Sequence, residues 1–278
     1  MKFQYRMLWW LSAVSLIGGC AAPSVTTHSS NNNFNSTLWV QTASEYKANS
    51  IQAYNAAINN IERAKSDRSW SSILEQGADF ASLPTAIILD IDETVLDNSQ
   101  YQAQLVLNGT EFDPVTWDHW LAMKAAPAIP GAVDFINSVE AKGIEVIYIT
   151  NRECKSRQGS DNACPQEQDT LDNLESVGIK NVTSANLLLK KEKPEWSSEK
   201  KSRREEIANN YRVVMLFGDD LGDFLPDVKK NITPSERNEL VFKYRSNWGS
   251  KWFVLSNPNY GSWVGVLNDP KSSHLRGY

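Results

Sequence analysis

Between residues 39 and 64 apolar and small side chains recur at the three- and four-residue spacing of one helix face: Trp39, Ala43, Tyr46, Ser50, Ile51, Tyr54, Ala57, Ile58, Ile61 and Ala64. The spacing predicts a long amphipathic helix, starting near the capping pair Ser36-Thr37 and packing one face on the rest of the protein. Gly77 and Pro84 close that region. Beyond Pro84 the pattern changes to short continuous apolar runs at 86–89, 144–150, 185–189, 213–217 and 252–255. Runs of this length and composition predict strands buried on both faces. Helical patterns lie between them: 130–142, with Pro130 in the first turn and Gly143 at the stop, 165–177 before Gly178, and 199–210. The alternation predicts an α/β fold, a Rossmann-like parallel sheet with helices on both faces. Segment 97–126 is too long for a simple crossover and carries two short helical patterns, so it reads as a small helical insert over the first strand.

The N-terminus follows a different rule. Lys2 and Arg6 precede an apolar run over residues 7–17, which meets Gly18-Gly19-Cys20. The run is short for a bilayer span. Small residues directly before a cysteine resemble a bacterial lipobox, which implies a signal peptide over 1–19 and a lipid-modified Cys20 anchoring the chain to the cell envelope, at the outer membrane. Residues 20–37 are polar and rich in Asn and Ser, which predicts a disordered tether. A helical segment over 38–83 and a catalytic core over 84–278 complete the organisation. Cys154 and Cys164 then remain as a pair ten residues apart, and an oxidising compartment favours a disulfide between them over a zinc site, since no histidine lies nearby. The 278-residue chain is 41% hydrophobic with a net charge of −5, enough for a full core and without the basic face that a nucleic-acid polymer requires.

Chemistry collects where the apolar runs end. The first delivers Asp90 and Asp92 into a loop, and residues i and i+2 of an extended segment point the same way. Two carboxylates sharing a pocket repel unless a cation or a shared proton relieves them. The second run ends in Thr150-Asn151-Arg152, which supplies a hydroxyl, an amide and a guanidinium, and the hydroxyl and the amide suit phosphate oxygens. Lys200 opens a basic stretch, Lys200-Lys201-Ser202-Arg203-Arg204, most of whose charges read as a solvated helix face. The fourth run ends in a second acidic loop holding Asp219 and Asp223. Carboxylates converging from two strand ends suit a hard cation, and magnesium fits oxygen ligands best.

In order along the chain, IILDIDETVLDNSQY (87–101), ITNR (149–152), SSEKKSRR (197–204), LFGDDLGDF (216–224) and NPNYGSW (257–263) resemble the haloacid-dehalogenase-like superfamily. They are most similar to the bacterial class C acid phosphatases, the lipoprotein 5′-nucleotidase group. The resemblance implies an α/β core of that superfamily and a magnesium-dependent phosphomonoesterase. Asp90 is then the nucleophile, and Asp92 the general acid and base, protonated at the outset, which implies a mildly acidic optimum. Magnesium would be held by the Asp90 carboxylate, the Asp92 carbonyl and Asp219, with Asp223 supporting it from behind or through water. Thr150, Asn151 and Lys200 would hold the phosphoryl oxygens. Phe112, Trp117 and Tyr260 would flank a nucleobase or other aromatic leaving group. The implied substrates are small phosphomonoesters such as nucleoside 5′-monophosphates or nicotinamide mononucleotide, and a homodimer is a family-level expectation.

Three other readings compete for the same chain. A surface lipoprotein could use its ten Trp to bind a ring-shaped ligand such as haem, but pure binding has no need of Asp92. A dehalogenase generally lacks the second aspartate. A serine hydrolase has no GxSxG to stand on.

Overall fold

The computed structural model describes residues 33–278. The expected signal segment, Cys20 and most of the expected tether lie outside those residues. Five strands, β1 (Thr85–Leu89), β2 (Glu145–Glu153), β3 (Leu187–Lys190), β4 (Arg212–Gly218) and β5 (Trp252–Val254), pair in parallel in the order β3-β2-β1-β4-β5. Each falls on one of the five apolar runs, because a strand covered on both sides has no solvent face to give to polar side chains. Along β1 the alternation divides the core: Ile87 and Leu89 pack in one cluster, Ala86 and Ile88 in the other. From β1 the chain steps outward through β2 and β3, then returns to the other flank with β4 and β5. That reversal leaves a crevice at the carboxyl ends of β1 and β4, the place where α/β sheets bind ligands.

The helices are α1 (Phe34–Thr42), α2 (Ser44–Ser66), α3 (Ser99–Asn108), α4 (Pro114–Met123), α5 (Ala132–Ala141), α6 (Pro165–Ser176), α7 (Lys201–Ala208), α8 (Pro234–Lys243) and the short α9 (Ser262–Gly265). α3 and α4 form the insert, as the two short patterns predict. Several details differ from the sequence reading. The single long helix is two, broken at an extended Ala43. Across the break Trp39 and Tyr46 meet edge to face, ring centres 5.5 Å apart. Helix begins at Phe34, within the segment read as tether, because Thr37 is buried and its hydroxyl donates to Asn259 Oδ1 at 3.1 Å. Ile51 and Ile58 of the apolar stripe are exposed, so the buried face is narrower than the pattern. Pro130 precedes α5, whose entry is made by Gly131 at φ 91°. A Cβ there would lie 3.2 Å from Tyr54 Cδ2, so the position suits glycine on two counts. The apolar pattern does not announce α8, although Thr233, Pro234 and Glu236 form its capping box and first turn.

Two side chains fasten α2 to the sheet. The Tyr54 ring stacks on Phe217 at 5.6 Å, and its hydroxyl donates to the Thr94 carbonyl at 2.7 Å, inside the loop that follows β1. Arg212, fully buried at the start of β4, donates to the carbonyls of Ala64 (2.9 Å), Lys65 (2.7 Å) and Asp67 (2.8 Å). The last carbonyls of a helix have no partner within it, and the negative end of the helix dipole favours a cation.

Arg212→Leu therefore leaves several buried acceptors unpaired, each worth about 1–3 kcal/mol. The expected loss is about 3 kcal/mol, on the order of 10 °C in melting temperature. Scanning calorimetry checks it, and a shift within a degree or two would show that the guanidinium is replaceable.

Candidate active site

β1 delivers Asp90 to the crevice and keeps it in register: its N–H donates to the Phe217 carbonyl at 3.0 Å, extending the β1–β4 ladder by one residue. Lys200 Nζ donates to Asp90 Oδ1 at 2.5 Å and stands 2.7 Å from Asp223 Oδ1. This lysine precedes α7 and is 3% exposed, a buried cation between two carboxylates. Asp219 follows directly on β4. Its carboxylate accepts from Asn257 Nδ2 at 2.7 Å and from the Thr94 hydroxyl at 3.5 Å. Carboxylate oxygens of Asp90, Asp219 and Asp223 all lie within 4.8 Å of one another. Gly218 makes this possible, since a Cβ there would fall 2.2 Å from Asp223 Oδ2. Only a residue without a side chain lets Asp223 fold back onto the strand end.

Three carboxylates, those of Asp90 and Asp223 buried and that of Asp219 half-buried, face one ammonium. Burial pushes the Asp90 carboxyl up to about 6, with Lys200 pulling it down and Asp223 and Asp92 adding to the rise. Burial, then Asp223 and Asp90, hold Asp219 well above the usual carboxylate range. Burial alone would lower Lys200, but the charges of Asp223 and Asp90 outweigh it and keep the ammonium protonated. An oxygen-lined, net-negative cluster of this kind fits a divalent cation, which would relieve the repulsion that protonation otherwise relieves. Asp223, expected behind the ion, has an oxygen in the same cluster as the other two.

Asp92 has different partners. Its carboxylate accepts from Arg152 Nη2 at 2.8 Å and Nε at 3.1 Å, and from Asn98 Nδ2 at 3.0 Å. The backbone turns sharply just after it, with Glu93 at φ 58°. Glu93 is buried and accepts from the Asn98 N–H at 2.9 Å and from the Tyr260 hydroxyl. Burial raises its carboxyl well above the usual range, and the Asp92 charge adds to this. Asn98 in turn accepts from Trp120 Nε1 at 2.8 Å, which roots the insert at the acidic loop.

At the end of β2 the Thr150 hydroxyl accepts from the Arg152 N–H at 3.1 Å, which leaves its own proton to donate elsewhere. Asn151 is exposed. Its amide donates to the Ser198 carbonyl at 3.1 Å and accepts from Arg203 Nη2 at 2.8 Å. Arg203 also donates to the Thr150 carbonyl at 2.5 Å and to Ser197 O at 2.9 Å. Arg204 grips Glu75 at 2.7 Å and the Asp223 carbonyl at 3.0 Å. Reading α7 as a solvated basic face is thus wrong for these two arginines, which are fully buried. Their work is to join the end of β2 and the Asp223 loop to α7. Arg152, Arg203 and Arg204 are the residues the sequence reading undervalued, although all three sit inside the strings ITNR and SSEKKSRR.

The three rings expected around a leaving group come from two segments of the chain. Phe112 and Trp117 stand 6.3 Å apart on the insert, beside Tyr101. Tyr260 is tied to Glu93 by its hydroxyl and belongs to the 257–263 segment that holds Asp219 through Asn257. Cys154 and Cys164 are joined in a disulfide, Cα atoms 4.8 Å apart. A separate cleft lined by Asp227, Ile232 and Leu240 shares no residue with the acidic cluster.

Known proteins carry the same architecture. A family model described as HAD superfamily, subfamily IIIB (Acid phosphatase) matches residues 16–263. The structure is similar to a class C acid phosphatase from Bacillus anthracis with tungstate bound: TM-score 0.75, 32% identity, covering 90% of this chain and 99% of that one. A second structure of the Bacillus anthracis class C acid phosphatase gives a TM-score of 0.72, also at 32% identity, covering 89% of this chain and 98% of that one. Among curated proteins, Acid phosphatase 1 of Solanum lycopersicum is 26% identical over 140 residues, which is 50% of this chain and 51% of that protein. The chain spans about half the length of the curated relatives it matches.

The acidic cluster makes a testable statement about pH. Asp90 titrates near 6 when folded against an ordinary 3.8, so its contribution to metal-free stability is complete below pH 3.8 and is lost as pH rises through about 6. A cation bound to the ionised carboxylate acts in the opposite sense. Its apparent affinity should weaken about tenfold between pH 7.5 and pH 5, cutting its stabilisation by about 1.4 kcal/mol at saturating metal. Melting temperatures with magnesium and with chelator at the two pH values measure this. An equal or larger increment at pH 5 would contradict it.

Proposed function

Because the chain belongs to subfamily IIIB of the HAD superfamily, the acid phosphatases, we propose that it is a magnesium-dependent phosphomonoesterase acting through an aspartyl-phosphate on Asp90. The observation that carries this reading is the buried Lys200 ammonium held between the Asp90 and Asp223 carboxylates. A carboxylate at a strand end, kept in register and aligned by a cation, is a preorganised nucleophile. The tungstate bound to the Bacillus anthracis enzyme supports the same reading, since tungstate is a tetrahedral oxyanion like phosphate.

In the reaction, an Asp90 oxygen attacks phosphorus and the ester oxygen leaves with the proton of Asp92. Water then attacks the aspartyl-phosphate while Asp92 takes its proton, releasing phosphate and restoring both carboxyl groups. Arg152 and Asn98 fix the Asp92 carboxylate for both duties. Lys200, the Thr150 hydroxyl and the Asn151 amide supply donors to the phosphoryl oxygens, with Arg203 holding the last two in place. A divalent cation on Asp90, Asp219, Asp223 and the Asp92 carbonyl would add Lewis-acid stabilisation of the charge on the transferred group. The leaving groups proposed are nucleosides, stacked on Phe112, Trp117 and Tyr260. The substrate pool is extracytoplasmic, with the chain tethered by lipid on Cys20 at the outer membrane and acting as a homodimer. The lipobox string and the family resemblance support that placement.

Asp90→Asn should reduce turnover of phosphomonoesters to background while leaving the melting temperature equal or higher, because one of three crowded charges is removed. Steady-state assay of a phosphomonoester panel, with magnesium and with chelator, checks both the nucleophile and the metal. Retained turnover in the variant would exclude Asp90 as nucleophile, and undiminished wild-type turnover in chelator would exclude the cation.

A further inference from the structure

The disulfide-bracketed loop between β2 and α6 has no part in the reaction just described, yet both of its long cations, Lys155 and Arg157, reach across to the insert. Arg157 Nε and Nη2 form a fork on the two carboxylate oxygens of Asp118, at 2.8 and 3.0 Å, and Nη1 lies 2.7 Å from Asp169 Oδ2. Asp118 belongs to α4 and is the chain neighbour of Trp117; Asp169 belongs to α6. Gln166, two residues past Cys164, donates to the same Asp118 oxygen at 2.7 Å and accepts from the Lys155 N–H at 3.1 Å. Both carboxylates are largely buried, with side chains 13% and 10% exposed, so the fork is not an ordinary surface ion pair.

Further fixed points of α4 lie toward its C-terminal end. Trp120 is held by Asn98, and Lys124 by Asp172 at 2.5 Å. The stretch of Phe112 and Trp117 is met from the β2 side by this loop, through the Arg157 fork and through Lys155, whose Nζ donates to the Pro114 carbonyl at 3.4 Å on the exposed side. The disulfide shortens the free loop that presents Arg157, which lowers the entropy cost of holding the fork closed.

We propose that the Cys154–Cys164 loop is a specificity element: through Arg157 it clamps α4, holds the Phe112–Trp117 pair at the rim, and so sets the preference for leaving groups that carry a ring. This rests on the phosphomonoesterase reading and on the aromatic leaving group within it. Arg157 acts as a positioning residue, since it touches α4 and α6 and none of the acidic cluster. Loosening the fork should cost affinity for the ring without touching phosphoryl transfer.

The test compares kcat and KM on a nucleoside 5′-monophosphate and on glycerol phosphate for wild type, Arg157→Ala, Arg157→Lys and the Cys154→Ser/Cys164→Ser double variant. The expected result for Arg157→Ala is a KM for the nucleotide raised about fivefold or more, the low end of one ring-stacking interaction, with kcat and all glycerol phosphate values unchanged. Arg157→Lys keeps the charge but not the fork and should recover part of the loss. The cysteine double variant should move in the same direction as Arg157→Ala. Equal losses on both substrates, or an unchanged nucleotide KM in Arg157→Ala, would overturn the clamp while leaving the phosphatase reading intact. A wild type with no preference for the nucleotide would defeat the aromatic leaving group, and the clamp with it.

Discussion

Everything at the crevice is arranged around a charge imbalance, three crowded carboxylates against one buried ammonium. Left alone, such a cluster would protonate or spring apart. Lys200 prevents the second outcome by bridging Asp90 and Asp223, while burial and mutual repulsion still hold the carboxyls of Asp90 and Asp219 above their ordinary range. The same imbalance suits the cluster to a divalent cation and, on the proposed mechanism, to the electron-poor phosphorus of an ester. On the proposed mechanism, stability is given up locally to hold Asp90 in register as the nucleophile.

The scaffold around the cluster consists of arginines acting on backbone carbonyls. Arg203 binds the Thr150 carbonyl, Arg204 the Asp223 carbonyl, and Arg212 the end of α2. Each guanidinium satisfies acceptors that the end of a strand or helix leaves open. Because the acceptors of Arg203 and Arg204 lie beside the proposed site, these two arginines convert the sheet's rigidity into fixed positions for Thr150, Asn151 and Asp223, while Arg212 works at the opposite end of β4. Arg152 does the same for Asp92 through a side-chain pair.

Much of this was legible in the sequence, for a local reason. A strand buried on both faces must be continuously apolar, so five runs gave five strands and the residues after them were marked as crevice residues. Asp90, Asp92, Asp219 and Asp223 are visible by that rule alone, while Lys200 needed the resemblance, because nothing local distinguishes it from Lys201. What was not legible depends on distant partners. Arg203 and Arg204 look like a solvated face until β2 and Glu75 are brought against them. The break at Ala43 and the helical start at Phe34 depend on Tyr46 and Asn259, and no property of residues 34–43 announces either. Tyr260 was placed near the site, and its hydroxyl is engaged with Glu93, a buried carboxylate to which the sequence reading gave no role.

The central claim is that Asp90 carries the phosphoryl group between the two half-reactions. Mixing the wild-type protein with a radiolabelled phosphomonoester and magnesium, quenching in acid within milliseconds, and digesting the protein locates that group directly. The account predicts a label that is stable in acid, released by alkali or hydroxylamine, and confined to the peptide containing Asp90. Rapid turnover with no protein-bound label under conditions where hydrolysis of the intermediate is slowed, or a label on any other residue, would contradict it.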